Sequence, residues 1–122
     1  MTQAPASSAA QARAADRRPA AEVCPHFHVA IELIGKRWTG AIVSALTAGP
    51  LRFGELADSV PGVSDRLLSQ RLRELEQSGL VARSVEEGTP VRVSYELTGM
   101  GRDLEPAIAE LKAWARRWEL AG

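Results

Sequence analysis

Apolar positions along the chain recur first at helical spacing and then, past residue 79, at strand spacing. Phe27, Ala30, Ile31 and Ile34 fall three and four residues apart, which predicts a helix that Gly35 stops. A second stripe, Trp38, Ile42, Ala45 and Leu46, ends at Gly49-Pro50. A third, short helix through Phe53, Leu56 and Val60 is closed by Pro61-Gly62. Ser64 is a good N-cap for a long periodic stretch that runs to Gly79, with Asp65 favourable in its first turn. Val81, Ala82 and Val85 then belong to one strand, and Val91, Val93, Tyr95 and Leu97 alternate with polar residues on another. Glu86-Glu87-Gly88-Thr89-Pro90 between them is a hairpin turn rich in breakers. Thr98 caps a final helix whose apolar stripe is Leu104, Ile108, Leu111, Ala115 and Trp118, with Trp114 beside it. Helices followed by a two-stranded wing predict a mainly α (α+β) winged helix-turn-helix, with an extra helix at each end.

Residues 1–22 break this pattern. They are Ala-rich and hold no aromatic residue and no Leu, Ile or Val, so nothing in them offsets the entropy of ordering. A disordered tail is expected there, and one folded domain over residues 23–120. The 122 residues suffice for a single modest core. No apolar run approaches the ~20 residues that span a bilayer. Nor does Met1–Ala21 contain the apolar core of a signal peptide. With Cys24 as the one cysteine, no intrachain disulfide is available, and a cytoplasmic, reducing location is expected.

Charge enters the picture locally. Lys and Arg number 15 against 15 Asp and Glu, a neutral balance that argues mildly against a polyanion partner but leaves room for a basic face. On a wheel of Ser64–Gln77, Leu68, Leu72 and Leu75 lie within about 60° of one another and define a buried side. Arg66, Gln70, Arg73 and Gln77 point the opposite way, with Ser69 at the edge and Glu74 and Glu76 on the flanks. Arg, Ser and Gln are the side chains that read guanine and adenine edges or hold phosphates. Taken alone, the same face reads equally as a solvated amphipathic helix. Its place after a short helix and a Gly turn, and before a hairpin, favours DNA. Arg83 and Arg92 on the wing, Lys36 and Arg37 ahead of Trp38, and Arg52 are further phosphate candidates; for each, a solvated surface charge is an equal reading. Glu86 and Glu87 make the wing tip a poor phosphate grip.

Several segments together resemble the HxlR family of winged helix-turn-helix regulators, which is MarR-like. They are Cys24-Pro25, Ile34-Gly35-Lys36-Arg37-Trp38, Arg52-Phe53-Gly54-Glu55-Leu56, the run from Ser64 to Leu75, Gly79-Leu80-Val81, Tyr95-Glu96-Leu97-Thr98 and Gly101-Arg102. They span about residues 24–118. Gly99-Met100 departs from the Pro and aliphatic residue usual in the family, Arg37 stands where Lys is common, and His26 and His28 lie outside the pattern. The resemblance implies a homodimer, held by its terminal helices, on a pseudo-palindromic operator in double-stranded DNA. Repression is favoured over activation. The apolar stripes argue independently for dimerisation, since a small core covers only part of them. Phe27, Ile31, Leu104, Ile108, Leu111, Trp114 and Trp118 are the candidate interface; the alternative is that the last helix packs on the first helix of its own chain.

Cys24 stands at a helix start, where the helix dipole favours a thiolate. The resemblance implies that some members use a cysteine here to sense quinones, aldehydes or oxidants, which makes Cys24 a redox-sensing candidate and a small-molecule or electrophile inducer a candidate partner. The alternative is an inert cysteine packing the first helix. Cys24, His26 and His28 offer at most three ligands where structural zinc wants four, so no metal and no cofactor is expected. No nucleophile–base pair, phosphate loop or carboxylate pair supports catalysis. The expected function is sequence-specific transcription regulation; the competing one is a winged-helix protein-interaction module that does not bind DNA.

Overall fold

The computed structural model describes residues 23–121, so the tail expected over residues 1–22 lies outside the described residues. Along these run helix α1 (Pro25–Ile34), α2 (Thr39–Leu46), strand β1 (Leu51–Arg52), α3 (Phe53–Ser59), α4 (Asp65–Ser78), β2 (Val81–Glu86), β3 (Arg92–Leu97), α5 (Gly99–Arg102) and α6 (Glu105–Arg117). This is the expected winged helix-turn-helix. The chain divides into two units between Ala30 and Ile31, within α1. In the first, residues 23–29 are all exposed, and the His28 amide donates to the Cys24 carbonyl at 3.0 Å.

In the second unit the core gathers the predicted apolar faces. Ile42, Val43 and Leu46 of α2, Leu56 of α3, and Leu68 and Leu75 of α4 have no exposed surface, and Leu72 almost none. Leu80, Val81, Leu97 and Ile108 join them. Each such side chain contributes on the order of 1.5–3 kcal/mol by leaving water. The helices therefore follow directly from the apolar period.

Three features depart from the periodic reading. Trp38 was expected inside the second helix; instead it precedes α2 in a left-handed conformation, φ 77°, and acts as the corner between α1 and α2. Leu51 and Arg52 form a strand that pairs antiparallel with Tyr95 and Ser94, so the sheet has three strands in the order β1-β3-β2. Two residues carry no period, which is why this strand left no pattern. The single final helix is split into α5 and α6 around Asp103-Leu104. Pro106, at the second position of α6, has no amide hydrogen, and its ring would collide with the Arg102 carbonyl in a continuous helix.

The hairpin is tied to the end of α4. Gly79 ends that helix in the left-handed region, φ 87°, with its amide on the Glu76 carbonyl at 3.1 Å. The Thr98 hydroxyl donates to the Gly79 carbonyl at 2.5 Å and accepts from the Gly101 amide at 3.2 Å. A Cβ at Gly101 would run into the Leu80 carbonyl, so only glycine fits where α5 meets the strand.

Candidate nucleic-acid interface

The helix-turn-helix is formed by α3, a turn through Val60–Val63 and α4. The amide of Arg52 donates to the Glu55 carboxylate at 2.9 Å, fixing the start of α3. At the start of α4 the Ser64 hydroxyl accepts from the Leu67 amide at 3.1 Å, as expected of an N-cap. Gly62 lies in the turn at φ +95°, and a Cβ there would stand 3.2 Å from the Trp38 ring. Glycine is required at this position by both the backbone conformation and the indole.

With Leu68, Leu72 and Leu75 buried, the opposite face of α4 is exposed along Arg66, Ser69, Gln70 and Arg73. Among the described residues these four side chains make no hydrogen bond or ion pair, so their donors and acceptors are free for a ligand. Burial of the leucines thus aims a donor-rich surface outward. No carboxylate lies on its centre line.

The flank of α4 behaves differently. Lys36 Nζ donates to Glu74 Oε2 at 3.1 Å, while Arg71 Nη1 donates to Glu74 Oε1 at 3.0 Å. Arg71 Nε reaches the Arg37 carbonyl at 3.0 Å. The hydrogen bond from Lys36, and then that from Arg71, hold the Glu74 carboxyl below the ordinary carboxylate range against an opposing effect of burial. Arg71 was absent from the sequence-derived candidates, because a bond to a residue 34 positions away leaves no local trace. Lys36, a candidate for phosphate or a solvated surface charge, is paired with Glu74 while its side chain stays exposed. Arg37 stacks its guanidinium 5.0 Å from the centre of the Trp38 ring.

On the wing, Arg83 and Arg92 are both exposed, but strand register separates them. Arg83 is opposite Tyr95, whereas Arg92 is opposite Glu86. Successive residues alternate faces, so the two arginines occupy opposite sides of the hairpin. Arg52, opposite Ser94, shares the face of Arg92. Arg92 has a carboxylate as its cross-strand neighbour, which weakens it as a phosphate ligand.

The seven residues expected at a subunit interface also separate. Ile108 is buried in the core of its own chain and Leu104 packs against that core. Leu111, Trp114 and Trp118 are 56%, 47% and 66% exposed. Phe27 and Ile31 are exposed as well. An apolar cleft of ≈ 440 Å³ lies between the end of α1, α2 and α6, lined in part by Ile34, Ala41, Leu111 and Ala115. Cys24 is exposed with a free thiol. Among the described residues no group of three or more His, Cys, Asp or Glu side chains gathers, and no helix is long and apolar enough to cross a membrane.

Comparison with known proteins places this geometry. The uncharacterized HTH-type transcriptional regulator YvaP of Bacillus subtilis is 44% identical over 97 residues, covering 80% of this chain and 90% of its own. The reduced form of the B. subtilis transcriptional regulator YodB superposes with a TM-score of 0.71 at 44% identity, over 77% of this chain and 92% of YodB. Its quinone-bound form gives 0.69 at 40% identity, over 78% and 99% of the respective chains. Residues 33–121 match the HxlR-like helix-turn-helix family. That match takes in the turn, the exposed helix face and the wing alike, and the chain belongs to the HxlR-like helix-turn-helix family, whose matched relatives are transcriptional regulators.

Proposed function

We propose that this protein is a sequence-specific DNA-binding regulator that acts as a homodimer on a pseudo-palindromic operator, repressing rather than activating. The observation that carries the reading is the partner-free Arg66, Ser69, Gln70 and Arg73 face on the second helix of a helix-turn-helix. In the major groove, the arginines suit guanine edges, Gln70 suits adenine and Ser69 suits either. The α4 N-terminus at Ser64, together with Arg52, the Arg37 guanidinium and the arginine of whichever wing face meets the duplex, Arg83 or Arg92, supplies phosphate contacts. Leu111, Trp114, Trp118 and Ile31 in one unit, and Phe27 in the other, are the exposed apolar residues offered to a second subunit.

Binding to a duplex selected from a randomised pool tests this. Affinity should fall steeply with salt. Arg66→Ala and Arg73→Ala should each cost about 1–3 kcal/mol and relax preference at one base position. Absence of any retention on duplex DNA at low salt would sink the reading. It would instead favour the interaction module, for which the neutral net charge and the Glu86-Glu87 tip are the argument.

Cys24 carries a second reading, a response to thiol-reactive or redox signals. Its support is an exposed free thiol and the likeness to YodB, whose solved forms include reduced and quinone-bound ones. With one cysteine per chain, any disulfide at Cys24 must join two subunits or capture a small thiol. Diamide treatment should yield a covalent dimer or a mixed disulfide that Cys24→Ser abolishes; an unmodified thiol under these conditions removes the idea.

A further inference from the structure

The segment Lys36-Arg37-Trp38 is basic and exposed enough to pass for a phosphate grip, yet the Lys36 ammonium, the Arg37 carbonyl and the Trp38 ring are engaged with the helix-turn-helix of their own chain. Lys36 Nζ and Arg71 Nη1 hold the two oxygens of Glu74, at 3.1 and 3.0 Å. Arg71 Nε closes the ring on the Arg37 carbonyl at 3.0 Å, so one guanidinium ties an α4 carboxylate to the backbone of the α1–α2 corner. Trp38 sits in the left-handed conformation that is unfavourable for a bulky residue, and its ring covers Gly62 in the turn before α4. The corner thereby grips α4 at two heights, at the turn that enters the helix and two helical turns further along.

The geometry points to Arg71, Glu74 and Lys36 as positioning residues that set the rotation of α4 about its own axis, and with it the direction of Arg66, Gln70 and Arg73. The leucine face alone resists rotation weakly, because an apolar contact has no preferred direction. Two charge-assisted hydrogen bonds on one flank, spanning 38 and 34 residues of chain, do have one. A rotation of a few tens of degrees carries a long side chain several ångströms off a base edge while leaving its charge near the duplex. Loss of the clamp therefore lowers discrimination between sequences far more than it lowers attraction to DNA.

This inference rests on the DNA-binding reading for its functional consequence, and the test separates the two. Affinity for a selected operator and for a random duplex is measured across a salt series for Lys36→Met, Arg71→Met and Glu74→Gln, with thermal unfolding as the control for folding. Glu74→Gln is the decisive variant because the two effects have opposite signs. Removing a carboxylate near the duplex strengthens all DNA binding by electrostatics, whereas a lost clamp weakens operator binding. The operator-to-random ratio should fall about tenfold, the discrimination of roughly one base contact. For Lys36→Met the ratio should fall while the salt slope is unchanged; a slope shallower by about one would make Lys36 a phosphate ligand and overturn its place in the clamp. An unchanged ratio in both folded Arg71→Met and folded Glu74→Gln overturns the proposal. If the wild type itself shows no sequence preference, the DNA reading fails, and the clamp is still read from the Arg71 Nε–H resonance. That resonance, of the hydrogen on the Arg37 carbonyl, should exchange slowly with solvent in the wild type and faster in Glu74→Gln, where the neutral acceptor loosens the neighbouring Arg71 Nη1 bond; rapid exchange in the wild type would refute the clamp.

Discussion

Helices α4 and α6 are amphipathic and of nearly equal length, 14 and 13 residues, yet they face opposite demands. In α4 the apolar face is entirely committed to the core, with Leu68, Leu72 and Leu75 all buried. In α6 only Ile108 is buried, and Leu111, Trp114 and Trp118 lie open. The polar face of α4 is consequently the one available for recognition, and the apolar face of α6 is the one available for a partner. The difference also shows in their tethers. Polar bonds from Lys36 and to the Arg37 carbonyl anchor α4, whereas the one side-chain ion pair at the start of α6 among the described residues is Arg102 with Glu105, long at 3.7 Å. Amphipathicity says that a helix has a face to bury; the surroundings decide which other element buries it.

The sharpest way to break the comparison is to damage the same residue type in both helices. Leu72→Ala empties a packed site and should destabilise the fold by about 2–5 kcal/mol in urea unfolding. Leu111→Asp should leave the subunit folded. It should weaken self-association by about 2 kcal/mol or more, seen as a shift from dimer to monomer in analytical ultracentrifugation. Were Leu111→Asp to unfold the protein outright, the α6 stripe would belong to the core and the contrast would collapse.

Smaller effects sharpen how α4 is held. Gly62→Ala forces an alanine into φ +95° against the Trp38 ring, and should cost about 1 kcal/mol or more in thermal or urea unfolding. The smallest effect is that of pH. Because the folded state holds Glu74 below its ordinary value, its contribution is fully present above the unfolded-state carboxylate range. It is lost as pH falls through the lowered folded value. Unfolding free energy followed against pH should therefore lose part of its acid limb in Glu74→Gln, the two proteins differing most near neutrality and converging as pH falls. An identical acid limb in both proteins would remove Glu74 from the account.

Much of this arrangement was legible without coordinates. The exposed polar face of α4 follows from the helical period, because three leucines at fixed spacing leave one direction for Arg66, Gln70 and Arg73. Ser64, Gly79 and Thr98 mark element ends through the hydrogen bonds and backbone angles that their side chains permit, and they do so in the structure. Harder to see were β1, with two residues and no period, and the break at Asp103-Leu104, for which Pro106 was the available sign.

The sequence by itself determined the order of elements, the buried and exposed sides of α4 and the family, since each depends on residues close together in the chain. Only the tertiary structure decided the long-range commitments. It turned Lys36 from a free cation into a ligand of Glu74, and divided one apolar stripe between core and surface at Ile108 and Leu111. It also set Arg83 and Arg92 on opposite sides of the wing. The physical reason is common to all three. A side chain's charge and apolarity are written locally, but whether they remain available depends on what the folded chain brings within bonding distance.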